Sequence, residues 1–336
     1  MSRWANDPEH AADALLERSV DLSAVSGRVL LVNQGGRLPD LLRGSDVAVW
    51  NRRVVSGRIT SPWPPAGPFE TVFLRLPKAR EEQEMTVHAV LSVIAPGGRL
   101  VLYGGNDEGI RPAARMLEVL TGAVDTISTR GHGRVLAATR PAAIPGLRAR
   151  LADWRTVSRM VIAGIERDWG TYPGVFAAGR VDDGTALLLT ALPAMASHAT
   201  MLDFGCGSGV ISAAALAKHP DVHADMLDND SVALAAAAEN VQGARTVLGS
   251  SLADTHGRTY NAILSNPPLH QGIVKTGALV EKLIADAPAH LATGGILQMV
   301  VQRQIALERS IGEHLGGVQI IAEDSRYRVW RATRKA

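Results

Sequence analysis

Met201-Leu202-Asp203-Phe204-Gly205-Cys206-Gly207-Ser208-Gly209-Val210-Ile211 decides the fold. Residues 201–204 read as a buried strand, three glycines follow at alternate positions, and an alanine-rich stretch, residues 211–218, runs as a helix to a stop before Pro220. Glycines there let the chain turn tightly and let a ligand approach the free amides of a helix N-terminus. Working outward, Ala224-Asp225-Met226-Leu227 reads as a second strand, with Asp228 at its tip, and Ser231–Asn240 as a helix with Asp230 as its N-cap. Further buried runs are Val29–Val32, Val47–Trp50, 72–74, 100–102, 262–264 and 296–301. Short apolar runs alternating with helices predict parallel α/β sheets.

The two halves read as a duplication. Ala95-Pro96-Gly97-Gly98-Arg99-Leu100 matches Ala292-Thr293-Gly294-Gly295-Ile296-Leu297, and Val29-Leu30-Leu31-Val32-Asn33-Gln34-Gly35 parallels residues 201–207. Arg75-Leu76-Pro77-Lys78 is set against Ser265-Asn266-Pro267-Pro268. A repeat of this size changes the fold expected, although any two α/β domains share some of these features. The expected division is residues 1–150 and 151–336.

The length of 336 residues suits two domains, and 46% hydrophobic with 20% charged residues is ordinary for a globular chain. Lys+Arg 35 against Asp+Glu 33 excludes a globally basic nucleic-acid coat, leaving only local patches. Cys206 is the only cysteine, so no disulfide framework exists within the chain, and no ligand cluster with metal spacing is expected. There is no apolar run for a secretory signal or a membrane span. A cytoplasmic protein is expected. Residues 130–159 carry Arg130, Arg134, Arg140, Arg148, Arg150, Arg155 and Arg159 against one acid, Asp153. This is either a solvated linker or a phosphate-contacting strip.

The glycine loop and Asp228 carry a chemical reading. An acid at the tip of the second strand can hold both hydroxyls of a ribose, or serve only as a turn or cap residue. Asp203, just before the first glycine, could receive a charged amino group. The Gly-x-Gly-x-x-Gly spacing of dinucleotide binders is absent, and together these favour S-adenosylmethionine. Cys206 has no base or resolving cysteine beside it and reads as inert packing. Asn266-Pro267-Pro268 closes a buried strand. The prolines stiffen the turn and remove two donors, so the Asn266 oxygen and the Pro267 carbonyl could accept both hydrogens of a planar NH2 group.

These residues resemble class I S-adenosylmethionine-dependent methyltransferases with an Asn-Pro-Pro motif. With Pro173-Gly174-Val175-Phe176 and Val181-Asp182-Asp183-Gly184-Thr185, they resemble the small methyltransferase domain of bacterial ribosomal RNA guanine-N2 methyltransferases. Leu76-Pro77-Lys78, Gly104-Gly105-Asn106-Asp107-Glu108-Gly109-Ile110 and Arg111 are similar to that family's degenerate first domain. The resemblance implies two tandem Rossmann-like methyltransferase domains. The first, degenerate, would recognise RNA; the second would bind cofactor and catalyse. It further implies methyl transfer to the exocyclic N2 of a guanine in small-subunit ribosomal RNA by a monomer. Asp203, Gly205, Cys206, Gly207 and Gly209 would hold the methionine part, Asp228 and Asn229 the ribose, and Ser250 and Ser251 the adenine. Asn266, Pro267 and Pro268 would hold the acceptor amine, with Phe176, Asp182, Leu269 and His270 lining the substrate. Leu269 stands where the family usually has an aromatic residue that can stack on a flipped base. Methylation of a protein glutamine amide, and an RNA- and cofactor-binding assembly factor without turnover, are the alternatives.

Overall fold

The computed structural model describes residues 8–34, 36–42, 44–130, 132–177, 179–267 and 273–335. The chain divides into two compact units, Met1–Arg155 and Thr156–Ala336.

The first unit contains α1 Pro8–Ser19, β1 Arg28–Val32, α2 Leu38–Leu41, β2 Asp46–Trp50, β3 Phe69–Arg75, α3 Arg80–Val93, β4 Ile94–Gly105, α4 Ile110–Thr121, β5 Asp125–Ser128 and β6 Gly133–Thr139. Its sheet runs β2-β1-β3-β4-β6-β5; β1 to β4 are parallel, β6 is antiparallel to β4, and β5 is antiparallel to β6. Period-two side-chain alternation separates its two cores. Leu30, Val32, Val72, Leu74, Leu100 and Leu102 face α3 and α4, whereas Val29, Leu31, Phe73, Val101 and Tyr103 face α1 and α2.

The second unit opens with a hairpin, β7 Thr156–Ile162 and β8 Ile165–Thr171. It continues α5 Asp183–Thr190, β9 Thr200–Phe204, α6 Val210–Lys218, β10 His223–Asp228, α7 Ser231–Asn240, β11 Arg245–Leu248 and β12 Tyr260–Ser265. Then come α8 Ile273–His290, β13 Leu291–Gln302, α9 Glu308–His314, β14 Gly316–Glu323 and β15 Tyr327–Thr333. The strand order is β11-β10-β9-β12-β13-β15-β14, with the last two strands antiparallel. The chain order reverses between β9 and β12, which opens the crevice at their carboxyl ends where ligands of such sheets bind. Asp230 caps α7 by accepting from the amides of Val232 and Ala233, and α6 starts one residue earlier than the sequence suggested.

The units share fine detail. Both slip register at the same place, between Phe69 and Thr71 on β3 and between Tyr260 and Ala262 on β12. Both glycine pairs begin with a left-handed residue, Gly97 (φ 80°) and Gly294 (φ 72°). In both, the carbonyl of the second glycine receives an amide from the return strand, Arg140 to Gly98 and Arg334 to Gly295, each 2.8 Å. Strand register corrects one pairing made from sequence. Val32 lies beside Leu74, and Phe204 beside Ser265, so Arg75 rather than Leu76 stands where Asn266 stands.

The arginine-rich stretch is not a free basic strip. The Arg140 Nε donates to the Leu91 carbonyl (2.9 Å), and Arg148 lies over the Trp154 ring (3.2 Å to its centroid) and pairs with Glu84 (2.7 Å). Arg150 pairs with Asp153 (3.0 Å), and Arg159 with Glu166 and Asp168 (3.1 Å each). These four arginines are each bonded locally.

Candidate active site

The glycine loop rests on the tip of β10. The amides of Gly205 and Cys206 both donate to the Leu227 carbonyl, at 2.8 and 3.0 Å. Gly209 (φ 92°) then turns the chain into α6, and a Cβ there would sit 2.8 Å from Val241 Cγ2, so a side chain would be strained and would force Val241 aside. Cys206 is buried among Val210, Met226 and Val241, and burial pushes its thiol well above the ordinary range, with the Asp228 and Asp203 charges adding to it. It packs in the core, where its sequence context suggested packing. The β7–β8 hairpin braces the loop from outside. The Trp169 indole donates to Ser208 Oγ (3.0 Å), and Asn240 Nδ2 donates to the carbonyls of Ser208 (3.1 Å) and Gly170 (2.8 Å). Sequence reasoning missed Trp169 and Asn240, because a brace formed across 39 and 70 residues leaves no local pattern.

Asp203 is wholly buried. Its Oδ2 accepts from the Ser212 amide (3.0 Å) and hydroxyl (2.9 Å), and its Oδ1 has no hydrogen-bond partner. Burial pushes its pKa up to about 7, against the lowering by Ser212. Asp228 Oδ2 accepts from the Gly207 amide and its Oδ1 from the Asp230 amide, each at 2.9 Å. It is the acid at the strand tip and also forms the turn that follows. Asn229 is exposed beside it. Ser250 and Ser251 form a turn around Asp254, whose Oδ2 accepts both their amides (2.9 Å each) and the Ser251 hydroxyl (3.0 Å). Burial would raise the Asp254 pKa, but those donors hold it below the usual carboxylate range. Asp254 was not anticipated, although the Ser251-x-x-Asp254 capping pattern was visible.

At the end of β12 the Ser265 hydroxyl donates to the Phe204 carbonyl (2.8 Å), fastening β12 to β9 where the sheet reverses. Asn266 follows, half-buried, and its Nδ2 donates to Asp182 Oδ2 (3.0 Å) and Thr185 Oγ1 (2.9 Å). Asp182 is the N-cap of α5, and the same Oδ2 accepts from the amides of Gly184 (3.0 Å) and Thr185 (3.3 Å). With the amide nitrogen turned to α5, Oδ1 is the end of Asn266 left to accept. Asp182, expected to line the substrate, accepts from Asn266. Thr185, a member of the same cap, was missed. Pro267 is buried; Pro268, Leu269 and His270 lie outside the described residues. Phe176, half-exposed, stands over the glycine loop, its Cβ 3.9 Å from where a Cβ on Gly207 would be.

These residues fit S-adenosylmethionine. The free Oδ1 of Asp203 is an acceptor with no counterpart in the fold, and nothing lies within 4 Å of a Cβ built on Gly205, so the loop opens onto space. Among the described residues no cluster of metal-binding side chains occurs.

The matching edge of the first unit is filled by its own side chains. Asn33 takes the left-handed turn of Gly205 (φ 59°) and donates to the Arg75 carbonyl (3.0 Å). Gln34 donates to the Tyr103 hydroxyl, Asn51 donates to the Gln34 carbonyl (3.3 Å), and Arg75 forms a buried pair with Glu108 (2.7 Å). Leu31, in the place of Asp203, is core.

A seven-stranded sheet of this order, with a glycine loop after β9, an acid at the tip of β10 and Asn-Pro at the tip of β12, defines a class I methyltransferase domain, here preceded by a degenerate copy. The "Methyltransferase small domain" model matches residues 167–331, and its N-terminal counterpart, "Methyltransferase small domain N-terminal", matches residues 54–139. A "Ribosomal RNA small subunit methyltransferase C" of Shewanella halifaxensis is 31% identical over 78% of this chain and 76% of its own. Its namesake in Hahella chejuensis is 29% identical over 92% and 95%. A 16S rRNA N2 methyltransferase of T. thermophilus, solved in complex with AdoMet and guanosine, superposes with a TM-score of 0.84 over 99% of this chain and 93% of its own, at 24% identity. The chain belongs to the ribosomal RNA small subunit methyltransferase C family.

Proposed function

We propose that this protein transfers a methyl group from S-adenosylmethionine to the exocyclic N2 of a guanine in small-subunit ribosomal RNA. The observation that carries the reading is the grip of Asp182 and Thr185 on Asn266, which presents an amide oxygen at the edge of the cofactor crevice. That acceptor, with the Pro267 carbonyl beside it in sequence, suits the two N–H bonds of an NH2 group. When bound, the cofactor supplies a methyl group already activated on a sulfonium. Asp203 and the loop amides hold its amino-acid end, Asp228 and Asn229 its ribose, and Ser250 and Ser251, stiffened by Asp254, border its adenine. Asn266 Oδ1 and the Pro267 carbonyl take the two N–H bonds of the guanine amine and aim the nitrogen lone pair out of the ring plane. Those bonds strengthen as the nitrogen gains positive charge in the transition state. Phe176 borders the pocket above Gly207. Family membership favours RNA over a protein glutamine, and an intact Asn266 favours turnover over a purely binding role. Every described member of the site lies in Thr156–Ala336, which suits a monomer working in the cytoplasm on ribosomal RNA; no helix among the described residues is long and apolar enough to cross a membrane.

The test is mass-spectrometric mapping of N2-methylguanosine in small-subunit ribosomal RNA from a deletion strain. The mark should vanish on deletion and return with the wild-type chain. Loss of one preorganised transition-state acceptor costs about 10²–10³ in rate, so Asn266→Ala should bind the cofactor normally and restore almost no mark. Persistence of every N2-methylguanosine after deletion would refute the assignment.

A further inference from the structure

We propose that Gln298 and Arg331 are positioning residues for the transfer step: they fix α5 along its axis, and with it the Asp182 and Thr185 groups that orient Asn266. This role deepens the methyl-transfer reading and rests on it for the meaning of Asn266. Gln298 is wholly buried on β13, beside Leu264 of β12 on one side and Arg331 of β15 on the other. Two residues further along the strand, Val300 packs with Leu188 of α5, Leu264 and Val329. A glutamine in such a setting is unfavourable unless its amide is hydrogen-bonded. Here both ends of the amide are bonded. Gln298 Nε2 donates to the Ala191 carbonyl, Gln298 Oε1 accepts from Arg331 Nε, and Arg331 Nη2 donates to the same Ala191 carbonyl, each at 2.9 Å. Ala191 is the C-cap of α5. Two donors, one of them cationic, therefore converge on the carbonyl end of the helix, where the macrodipole favours positive charge. Burial lowers the Arg331 pKa, so the guanidinium is held there against a desolvation cost.

The other end of α5 meets the turn between β14 and β15. The Tyr327 ring lies against Gly184, where a Cβ would sit 3.2 and 3.3 Å from its Cε1 and Cδ1, and Arg326 pairs with Asp183. Asp324 Oδ1 stiffens that turn by accepting the amides of Arg326 and Tyr327, each at 2.7 Å. Between these ends the helix is held by apolar contacts, with Leu188 fully buried. Such contacts are non-directional; they resist removal of the helix but not a slide along its axis. The Asn266 bonds, at 3.0 and 2.9 Å, tolerate little sliding. About half an ångström along them would pass the range of N–H···O bonds. Replacing a bonded polar pair by apolar groups of the same shape is close to neutral for stability. Stability alone therefore gives no reason for a glutamine and an arginine on this face, whereas the register of α5 does.

The experiment compares the full chain with Gln298→Leu/Arg331→Met, which fills the same space with apolar side chains, and with the milder Arg331→Lys. The lysine keeps the charge, but its ammonium lacks the planar fork that spans Gln298 and Ala191. In the double variant kcat on small-subunit ribosomal RNA should fall about tenfold, and in Arg331→Lys about threefold, the range expected of residues acting through a packed element. Melting temperature, S-adenosylmethionine affinity by calorimetry and KM for RNA should hold. On an Asn266→Ala background the double variant should cost nothing further. The Asn266 side-chain amide gives the same answer without turnover. Its two Nδ2 protons, identified by NMR as the signals missing in Asn266→Ala, should exchange with water about tenfold faster in the double variant. Native kcat with native exchange, a fall in melting temperature or cofactor affinity that matches the fall in kcat, or an equal loss on the Asn266→Ala background would each overturn the proposal. If the double variant does not fold, Arg331→Lys decides by the same outcomes. Failure of the methylation reading shows separately, as absence of N2-methylguanosine with the wild-type chain, and the exchange rates still report whether Gln298 and Arg331 hold Asn266.

Discussion

Asp182 should govern catalysis without touching the reactants. Its Oδ2 and Thr185 Oγ1 hold the Asn266 amide nitrogen at 3.0 and 2.9 Å. Turning that amide over would lose one hydrogen bond to a charged acceptor, about 1.5–3 kcal/mol, and replace it with an oxygen facing a carboxylate. A preference of about 2–4 kcal/mol keeps the inverted amide below a few per cent. Asp182→Ser keeps an N-cap residue on α5, but its shorter side chain cannot reach Asn266, and the Thr185 hydroxyl is then free to donate to an inverted oxygen. If inversion becomes favoured by about 1 kcal/mol, the productive fraction falls to roughly one in six. Loss of the carboxylate's polarisation of the amide adds to this, so kcat should fall about tenfold to thirtyfold. Melting temperature, cofactor affinity by calorimetry and KM for RNA should move little. The decisive comparison is a double-mutant cycle with Asn266→Ala, in which Asp182→Ser should cost nothing further. An equal loss in both backgrounds would show that Asp182 acts through the substrate or through α5, and the positioning argument would fail.

Two further outcomes follow from the geometry. Asp203, with its folded pKa raised to about 7, binds its proton more tightly folded than unfolded, so its contribution to stability is complete below about pH 4 and is lost as pH rises through 7, up to about 4 kcal/mol. Thermal denaturation of the ligand-free protein should therefore show a decline between about pH 4 and 7 that Asp203→Asn flattens, and a steeper decline in the variant would contradict the assignment. Arg148→Ala removes a cation held over Trp154 and a half-exposed pair with Glu84; it should destabilise the first unit by about 1–2 kcal/mol while leaving the salt dependence of RNA binding unchanged, and a flattened slope in filter binding would restore the basic strip as an RNA contact.

The fold was legible because its signals are local. A buried strand, glycines and an alanine-rich helix lie within 18 residues, from Met201 to Lys218, and the period-two alternation of Leu30, Leu31 and Val32 assigns each side chain to a face without tertiary information. Asp228 and Asn266 were legible for the same reason, since each ends a strand. Thr185, Trp169, Asn240 and Asp254 were not picked out. Their roles depend on which loop lies against which, and a threonine in a helix or an asparagine at a helix end looks the same whether or not a partner waits 81 or 70 residues away. The shift from Leu76 to Arg75 has a related origin. Proline is conspicuous in sequence and drew the alignment to Pro77, whereas hydrogen-bond register, which settles the matter, has no letter of its own.

The two units together show what the site costs and why only one keeps it. In the second, Asp203 is buried with one oxygen unsatisfied, next to the charge of Asp228, and three left-handed glycines hold the loop open. Leaving a buried polar atom unpaired costs about 1–3 kcal/mol, and nothing in the ligand-free fold returns it. In the first, the same strand position is Leu31, fully buried in an aliphatic core, and the crevice is closed by the Asn33, Gln34, Asn51 and Tyr103 hydrogen bonds. Arg75 in the place of Asn266 brings donors where an acceptor is needed, and its pairing with Glu108 fixes the turn into α4 instead of a substrate amine. A duplicated sheet that no longer binds a cofactor is free to fill its crevice with side chains.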